Sequence, residues 1–135
     1  MPVGYSGTPL AKKLGVKPGQ RTWRLNMPDS VAAEIDQSGI VPKLLRAPAA
    51  DLEMVHIFVT RRADLAAHLA RLRKLLAPAG ILWVSWPKKS AKVETDITED
   101  VIRAEVLPLG LVDIKVCAID AVWSGLKLVI RKSER

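Results

Sequence analysis

The sequence is poor in the residues that usually mark a specific chemistry. It has one cysteine, Cys117, so no intrachain disulfide can form, and only two histidines, His56 and His68. Neither histidine has a second histidine or cysteine at the spacing of a metal site. The same shortage leaves no serine, histidine and acid set that suggests nucleophilic catalysis. We therefore expect neither a metal nor a catalytic residue.

Long apolar runs are also missing. No stretch approaches the roughly 18 residues that a membrane span needs, and the start of the chain has neither the basic nor the apolar part of a signal peptide. With a single cysteine, these absences predict a cytoplasmic protein with no membrane partner. The chain has 135 residues, 49% hydrophobic and 26% charged, which suits one folded domain over residues 1–135.

Acidic residues are nearly absent from one part of the chain. The net charge is +7, and residues 61–92 account for all of it, with Asp64 as their only acid. This predicts one continuous basic region that attracts an anionic ligand, a nucleic acid or an acidic protein. A solvated, arginine-rich helix face is the simpler interpretation. The basic residues of this stretch are Arg61, Arg62, Arg71, Arg73, Lys74, Lys88, Lys89 and Lys92.

Hydrophobic periodicity predicts alternating helices and strands. An N-terminal arm (1–19) holds a short helix that Thr8 caps and Gly15 ends. Helices follow at 28–36, at 62–77 and from Thr98 to Pro108. Strands are predicted at 21–26, 41–45, 54–59, 81–86, 112–119 and 126–130. This order predicts an α/β, Rossmann-like three-layer domain with a mainly parallel sheet. The short last connection predicts a C-terminal antiparallel hairpin, with its antiparallel strand at the edge of the sheet.

A basic loop, Lys88 to Lys92, follows the strand at 81–86. Ligands of open α/β sheets bind past the carboxyl ends of the strands, so this loop is the candidate ligand site. Its lysines and a serine hydroxyl suit an anion, and tryptophans at strand ends suit stacking on a base. A solvated loop with tryptophans that cover the sheet stays open as the alternative. The predicted anion-binding residues are Trp86, Lys88, Lys89, Ser90, Lys92, Asn26, Trp123 and Ser124.

Other chemically active side chains have structural interpretations. His56 lies inside an apolar strand, where a histidine is usually a core residue bonded to the backbone. Cys117 alternates within a strand, where thiols pack and stay inert. Asp96, Glu99 and Asp100 suit the positive end of a helix that begins nearby.

Two segments resemble the class I, Rossmann-like S-adenosylmethionine methyltransferases. The run from Leu76 to Val84 looks like the leucine, proline and glycine signature before the fifth strand of that family, and Val16 to Arg21 looks like the approach to its first strand. The resemblance implies a reduced methyltransferase-like topology. It also implies S-adenosylmethionine as the cofactor.

The resemblance breaks down where the family binds its cofactor. The family's first strand ends in a glycine loop that lets bare backbone approach the cofactor, and its second strand ends in an acid that binds the ribose. Here Asn26 to Ser30 contains no glycine, and Leu45 to Pro48 contains no acid. We therefore expect no cofactor and a protein that is not an enzyme. A reduced methyltransferase or another small-ligand enzyme is the alternative.

Three further segments are similar to an uncharacterised bacterial family of short proteins. They are Tyr5 to Gly15, Trp86 to Lys89 and Trp123 to Lys127. This similarity implies a fold and no activity. The expected role is binding of an anionic ligand or partner through residues 61–92, with a structural subunit or a homodimer as a further alternative.

Overall fold

The computed structural model describes residues 8–135, and its helices and strands follow the predicted order. The first seven residues of the predicted N-terminal arm lie outside the described residues. The helices are α1 (Leu10–Leu14), α2 (Asp29–Asp36), α3 (Arg62–Leu75) and α4 (Glu99–Val106). The strands are β1 (Arg21–Leu25), β2 (Lys43–Leu44), β3 (Leu52–Phe58), β4 (Leu76–Pro87), β5 (Leu111–Ala118) and β6 (Trp123–Ile130).

Six strands form one sheet in the order β2-β1-β3-β4-β6-β5. Strands β2, β1, β3 and β4 are parallel, whereas β6 is antiparallel to both β4 and β5. The predicted mainly parallel sheet with a C-terminal hairpin is confirmed. The predicted edge position of the antiparallel strand is wrong. Strand β6 carries the buried residues Leu126 and Leu128, so it lies between β4 and β5, and β5 takes the edge.

Helices cover both faces of the sheet, so its central strands are buried on both sides. On one face α3 and α4 pack against Val55 and Ile57 of β3, and on the other α1 and α2 pack against Met54 and Phe58. This two-sided burial is typical of parallel sheets. None of the helices in residues 8–135 has the length and apolarity to cross a membrane.

Two element boundaries differ from the sequence prediction. Helix α1 begins at Leu10 after Pro9, so Thr8 does not cap it, although Gly15 ends it in the left-handed conformation. Strand β4 begins at Leu76, directly after α3, instead of after the Pro78–Gly80 break. Gly80 is needed there, because a Cβ at that position would lie 2.7 Å from the Leu52 carbonyl oxygen.

Trp83 of β4 joins the first helix to the sheet. Its side chain is fully buried, and its indole N–H donates a 2.9 Å hydrogen bond to the carbonyl oxygen of Leu14. Gly125 on β6 leaves room for the ring, since a Cβ there would lie 3.2 Å from it. The hydrogen bond fixes the end of α1 against the centre of the sheet.

We predict that Trp83→Phe lowers the free energy of unfolding by about 2–3 kcal/mol, because it leaves a buried carbonyl unpaired and removes packed atoms. The matched variant is Trp86→Phe, which changes a buried tryptophan of the same strand for which no side-chain hydrogen bond is seen among the described residues. It should cost roughly half as much. Urea unfolding of both variants measures the difference, and equal losses would contradict the role of the Leu14 hydrogen bond.

Candidate functional site

The strand order changes direction between β1 and β3. The chain leaves β1 to form β2 on one side of it and later returns to form β3 on the other. In open α/β sheets such a switch point, at the carboxyl ends of the strands, is the usual place for a ligand. We call this side of the sheet the carboxyl edge, and the side where the parallel strands begin the amino edge.

Asn26 stands at the switch point, directly after β1. Its φ of 55° places it in the left-handed region, which glycine adopts freely and which asparagine tolerates better than most residues. Its side-chain amide donates to the carbonyl oxygen of Phe58 at the end of β3, at 3.5 Å. Helix α2 begins three residues later, with Asp29 and Ser30 exposed in its first turn.

A segment that we call the strap, residues 88–98, crosses the carboxyl end of β3. The Thr95 hydroxyl and the Asp96 N–H both donate to the Thr60 carbonyl oxygen, at 2.6 and 3.3 Å. The Asp96 carboxylate accepts the N–H of Arg62 at 2.6 Å, so it caps α3, whereas Thr98 caps α4. The strap leaves a cavity of about 120 Å³ beside Thr60 and Asp96, smaller than the roughly 300–1,000 Å³ of typical ligand sites.

The predicted lysine loop forms the first part of the strap. The Lys88 N–H donates to the Val122 carbonyl oxygen at 2.8 Å, which ties the loop to the hairpin between β5 and β6. A single 3-10 turn, Lys89–Ala91, follows, and Lys92 has a left-handed φ of 54°. Lys89, Ser90 and Lys92 are exposed. Within residues 8–135 none of the three lysines forms an ion pair.

The two tryptophans of the predicted site do not face one another. Trp86 packs in the core beneath α3 and α4, whereas Trp123 is half-buried on the opposite face, edge-on to Phe58 at 5.1 Å. No ligand can therefore stack on both rings. Ser124 lies opposite Trp86 on β6, next to the lysine loop. Asn26 follows β1, two strands and about 10 Å from the lysine loop that follows β4. It therefore belongs to the switch point and not to a site formed by that loop.

The continuous basic region expected over residues 61–92 is not formed. Helix α3 has 14 residues and is about 21 Å long, so Arg61 and Arg62 lie at the carboxyl edge while Arg73 lies at the amino edge. Two of these arginines also have partners within the chain: Arg62 pairs with Glu105 at 2.8 Å, and Arg73 donates to the Leu109 carbonyl oxygen at 2.7 Å.

Charge is instead divided between the two edges of the sheet. Six basic and seven acidic side chains lie at the carboxyl edge: Arg46, Arg61, Arg62, Lys88, Lys89 and Lys92 against Asp29, Asp64, Glu94, Asp96, Glu99, Asp100 and Asp120. Ten basic and four acidic side chains lie at the amino edge: Lys12, Lys17, Arg21, Lys43, Arg71, Arg73, Lys74, Arg131, Lys132 and Arg135 against Asp36, Asp51, Glu53 and Glu134. The amino edge therefore carries six positive charges in excess, most of the net charge of +7.

His56 and Ser85 form a buried, hydrogen-bonded pair that the sequence did not predict. The His56 Nε2 lies 2.7 Å from the Ser85 hydroxyl, and both residues are buried. The prediction that His56 is bonded to the backbone is therefore wrong. The β3–β4 register sets Phe58 beside Ser85 and so brings Ser85 within reach of His56. Burial, helped by the positive charge of Arg24, lowers the pKa of His56 from 6.5 to about 3. His56 is neutral and closed to solvent, which suits a structural role.

Two further features lie away from the switch point. Cys117 is half-buried, and burial raises the pKa of its thiol, which makes it less reactive. A cavity of about 390 Å³ opens at the amino edge, where Lys17, Gln20 and Glu53 line it. Within residues 8–135 no three histidine, cysteine, aspartate or glutamate side chains are grouped as metal ligands.

Several solved structures with the same fold are methyltransferases. An S-adenosylmethionine-dependent methyltransferase from Aquifex aeolicus aligns with a TM-score of 0.60 and 14% identity, covering 90% of this chain and 87% of that one. The magnesium protoporphyrin IX methyltransferase from Synechocystis PCC 6803, solved with bound S-adenosylmethionine, aligns with a TM-score of 0.59 and 12% identity, over 90% and 74%. The ribosomal protein L11 methylase from Lactobacillus delbrueckii subsp. bulgaricus gives 0.55 and 10%, over 90% and 75%.

These likenesses show the fold: the chain has the Rossmann-like topology of the S-adenosylmethionine methyltransferases. No family model matches the chain. No curated protein matches it in sequence either. The similarity to an uncharacterised bacterial family of short proteins therefore stays a prediction.

The His56–Ser85 pair predicts acid sensitivity. The unfolded chain takes up a proton on His56 below about pH 6.5, whereas the folded chain does so only near pH 3. The contribution of His56 to stability is therefore complete above pH 6.5. It falls by roughly 1.4 kcal/mol for each pH unit below that value.

Unfolding by urea between pH 7 and pH 4.5 measures this slope. His56→Gln, which keeps a hydrogen-bonding side chain beside Ser85, should remove the part of the slope due to His56. His68→Gln on α3 is the matched control and should keep it. An unchanged slope in His56→Gln would contradict the assignment.

Proposed function

We propose that the chain binds S-adenosylmethionine at the carboxyl edge, between β1 and β3, as a reduced methyltransferase-like protein. The observation that carries the proposal is the left-handed turn at Asn26, at the switch point of a fold shared with methyltransferases. Asn26 supplies the left-handed turn that glycine adopts freely. Its side chain is held on the Phe58 carbonyl oxygen, and the proposal requires the ligand to bind beside it.

The first turn of α2 offers a second group for the ligand. The backbone N–H groups of Asp29 and Ser30 have no partner among the described residues, and both side chains are exposed. Free N–H groups at a helix N-terminus bind anions, so they suit the carboxylate of S-adenosylmethionine. The Asp29 carboxylate suits its ammonium group. The slight acidic excess of the carboxyl edge also suits a ligand that carries a sulfonium charge.

The part of the site that would bind the ribose of S-adenosylmethionine fits this ligand less well than the start of α2 does. After β2 the chain runs Leu45-Arg46-Ala47, with Arg46 exposed and no carboxylate. Asp51 lies too far along the chain, at the amino edge. A hydrogen bond to a charged group contributes roughly 1.5–3 kcal/mol. We therefore expect affinity about 10- to 100-fold weaker than in a site that has the acid.

Bound S-adenosylmethionine would supply a methyl group activated by the sulfonium sulfur. The part that this chain would play is binding and orientation, through the Asn26 turn, the start of α2 and the strap that covers the end of β3. The Asp96 carboxylate already accepts the Arg62 N–H. The proposal therefore assigns no residue as a general acid or base.

The test is calorimetric titration with S-adenosylmethionine. We predict binding by the natural chain and by Asn26→Gly within about threefold, since glycine adopts the same φ freely. Asn26→Val should bind at least tenfold more weakly, because a β-branched residue resists a left-handed backbone at a cost of roughly 1–3 kcal/mol.

Asp51→Val is the matched control. Asp51 has a φ of 61° and lies at the amino edge, so its replacement imposes a similar backbone strain away from the site. It should lower stability about as much as Asn26→Val and leave affinity unchanged. The proposal fails if the natural chain shows no binding at millimolar ligand, or if the two valine variants lose affinity equally.

A further inference from the structure

The amino edge carries most of the positive excess of the molecule, and the methyltransferase-like site does not use it. Some of its cations are held within the chain, since Arg21, Arg73, Arg131 and Arg135 each donate to a carbonyl oxygen. Six others are exposed and form no ion pair within residues 8–135: Lys12, Lys17, Lys43, Arg71, Lys74 and Lys132. These six are available to an external anion.

The six available cations are spread along the edge. Lys43 begins β2 at one end of the sheet, Lys17 precedes β1, and Lys132 follows β6 near the other end. Neighbouring strands are about 4.8 Å apart, so Lys43 and Lys132 are separated by roughly 20 Å. Arg71 and Lys74 project from the last turns of α3 above the same edge. A single small phosphate cannot reach several of these groups, whereas a polymer with regularly spaced phosphates can.

The acidic side chains of the amino edge do not neutralise its positive charge. Four acidic side chains face ten basic ones, and Glu53 is partly engaged because it accepts the Arg21 N–H at 2.9 Å. Arg21 also has a buried Nε with no acceptor, so this part of the edge has an excess of donors. The 390 Å³ cavity lined by Lys17, Gln20 and Glu53 opens at the same place.

We propose that the amino edge binds the phosphate backbone of a nucleic acid. The proposal places the anionic partner on the side of the sheet opposite the lysine loop that the sequence singled out. It does not depend on S-adenosylmethionine binding, which concerns the carboxyl edge. Contacts of this kind release counterions, so their affinity falls steeply with salt and is independent of base sequence.

The experiment measures binding of a fluorescent single-stranded RNA of about a dozen nucleotides at several salt concentrations. Six phosphate contacts predict a slope of about −4 for log affinity against log salt. The variant Lys17→Glu/Lys43→Glu/Lys74→Glu removes three of the six. It should weaken binding at least tenfold and reduce the slope to about −2.

A second triple variant, Lys88→Glu/Lys89→Glu/Lys92→Glu, is the matched control. It makes the same substitutions and the same change in net charge at the carboxyl edge, on exposed or half-buried lysines. Its RNA affinity should stay within about threefold of the natural chain. Circular dichroism and urea unfolding should show that both variants fold.

Three results would overturn the proposal. The first is no binding by the natural chain at low salt. The second is a larger loss in the carboxyl-edge variant than in the amino-edge variant, which would place the anion on the lysine loop. The third is displacement of the RNA by polyglutamate of equal charge as effectively as by unlabelled RNA, which would indicate an acidic protein surface as the partner.

Discussion

The parallel alignment of β2, β1, β3 and β4 is the constraint on which the rest of the structure depends. Each parallel connection must return the chain to the amino edge, so α2, α3 and α4 run opposite to these strands. Helices on both faces then bury β3 and β4 on both sides. In residues 8–135 the polar groups buried within the sheet are Thr22, the His56–Ser85 pair and the indole N–H of Trp83, which donates to Leu14.

The same alignment explains why charge separates between the edges. Helix dipoles favour acids at the N-terminus and bases at the C-terminus. The first turns of α2, α3 and α4 hold acids and the last turns of α1 and α3 hold bases: Asp29, Asp64, Glu99 and Asp100 against Lys12, Lys13, Arg73 and Lys74. Because α2, α3 and α4 point the same way, their local preferences add up. The carboxyl edge is left suited to a cationic small ligand and the amino edge to an anionic partner.

The element order could be predicted from the sequence, because it depends on local periodicity and on signals such as Gly15 and Thr98. The position of β6 could not, because it depends on which strands bury Leu126 and Leu128. Asn26 could be predicted as a site residue from its place after β1, but its left-handed φ could not, because no glycine marks the turn. The hydrogen bond between Ser85 and His56 could not be predicted, because it depends on the β3–β4 register. The continuous basic region predicted over residues 61–92 is not formed, because the basic residues at the two ends of α3 lie at opposite edges of the sheet.

The two proposed sites lie on opposite edges of the sheet, so each can be tested without the other. Nuclear magnetic resonance of the ¹⁵N-labelled chain during titration with S-adenosylmethionine tests the central claim, the small-ligand site, most directly, since it locates the ligand without any substitution. The account predicts that the backbone amide signals of Asn26, Asp29 and Ser30 shift with ligand concentration while those of Lys17, Gly19 and Gln20 do not. Shifts confined to the second group, or none at millimolar ligand, would contradict it.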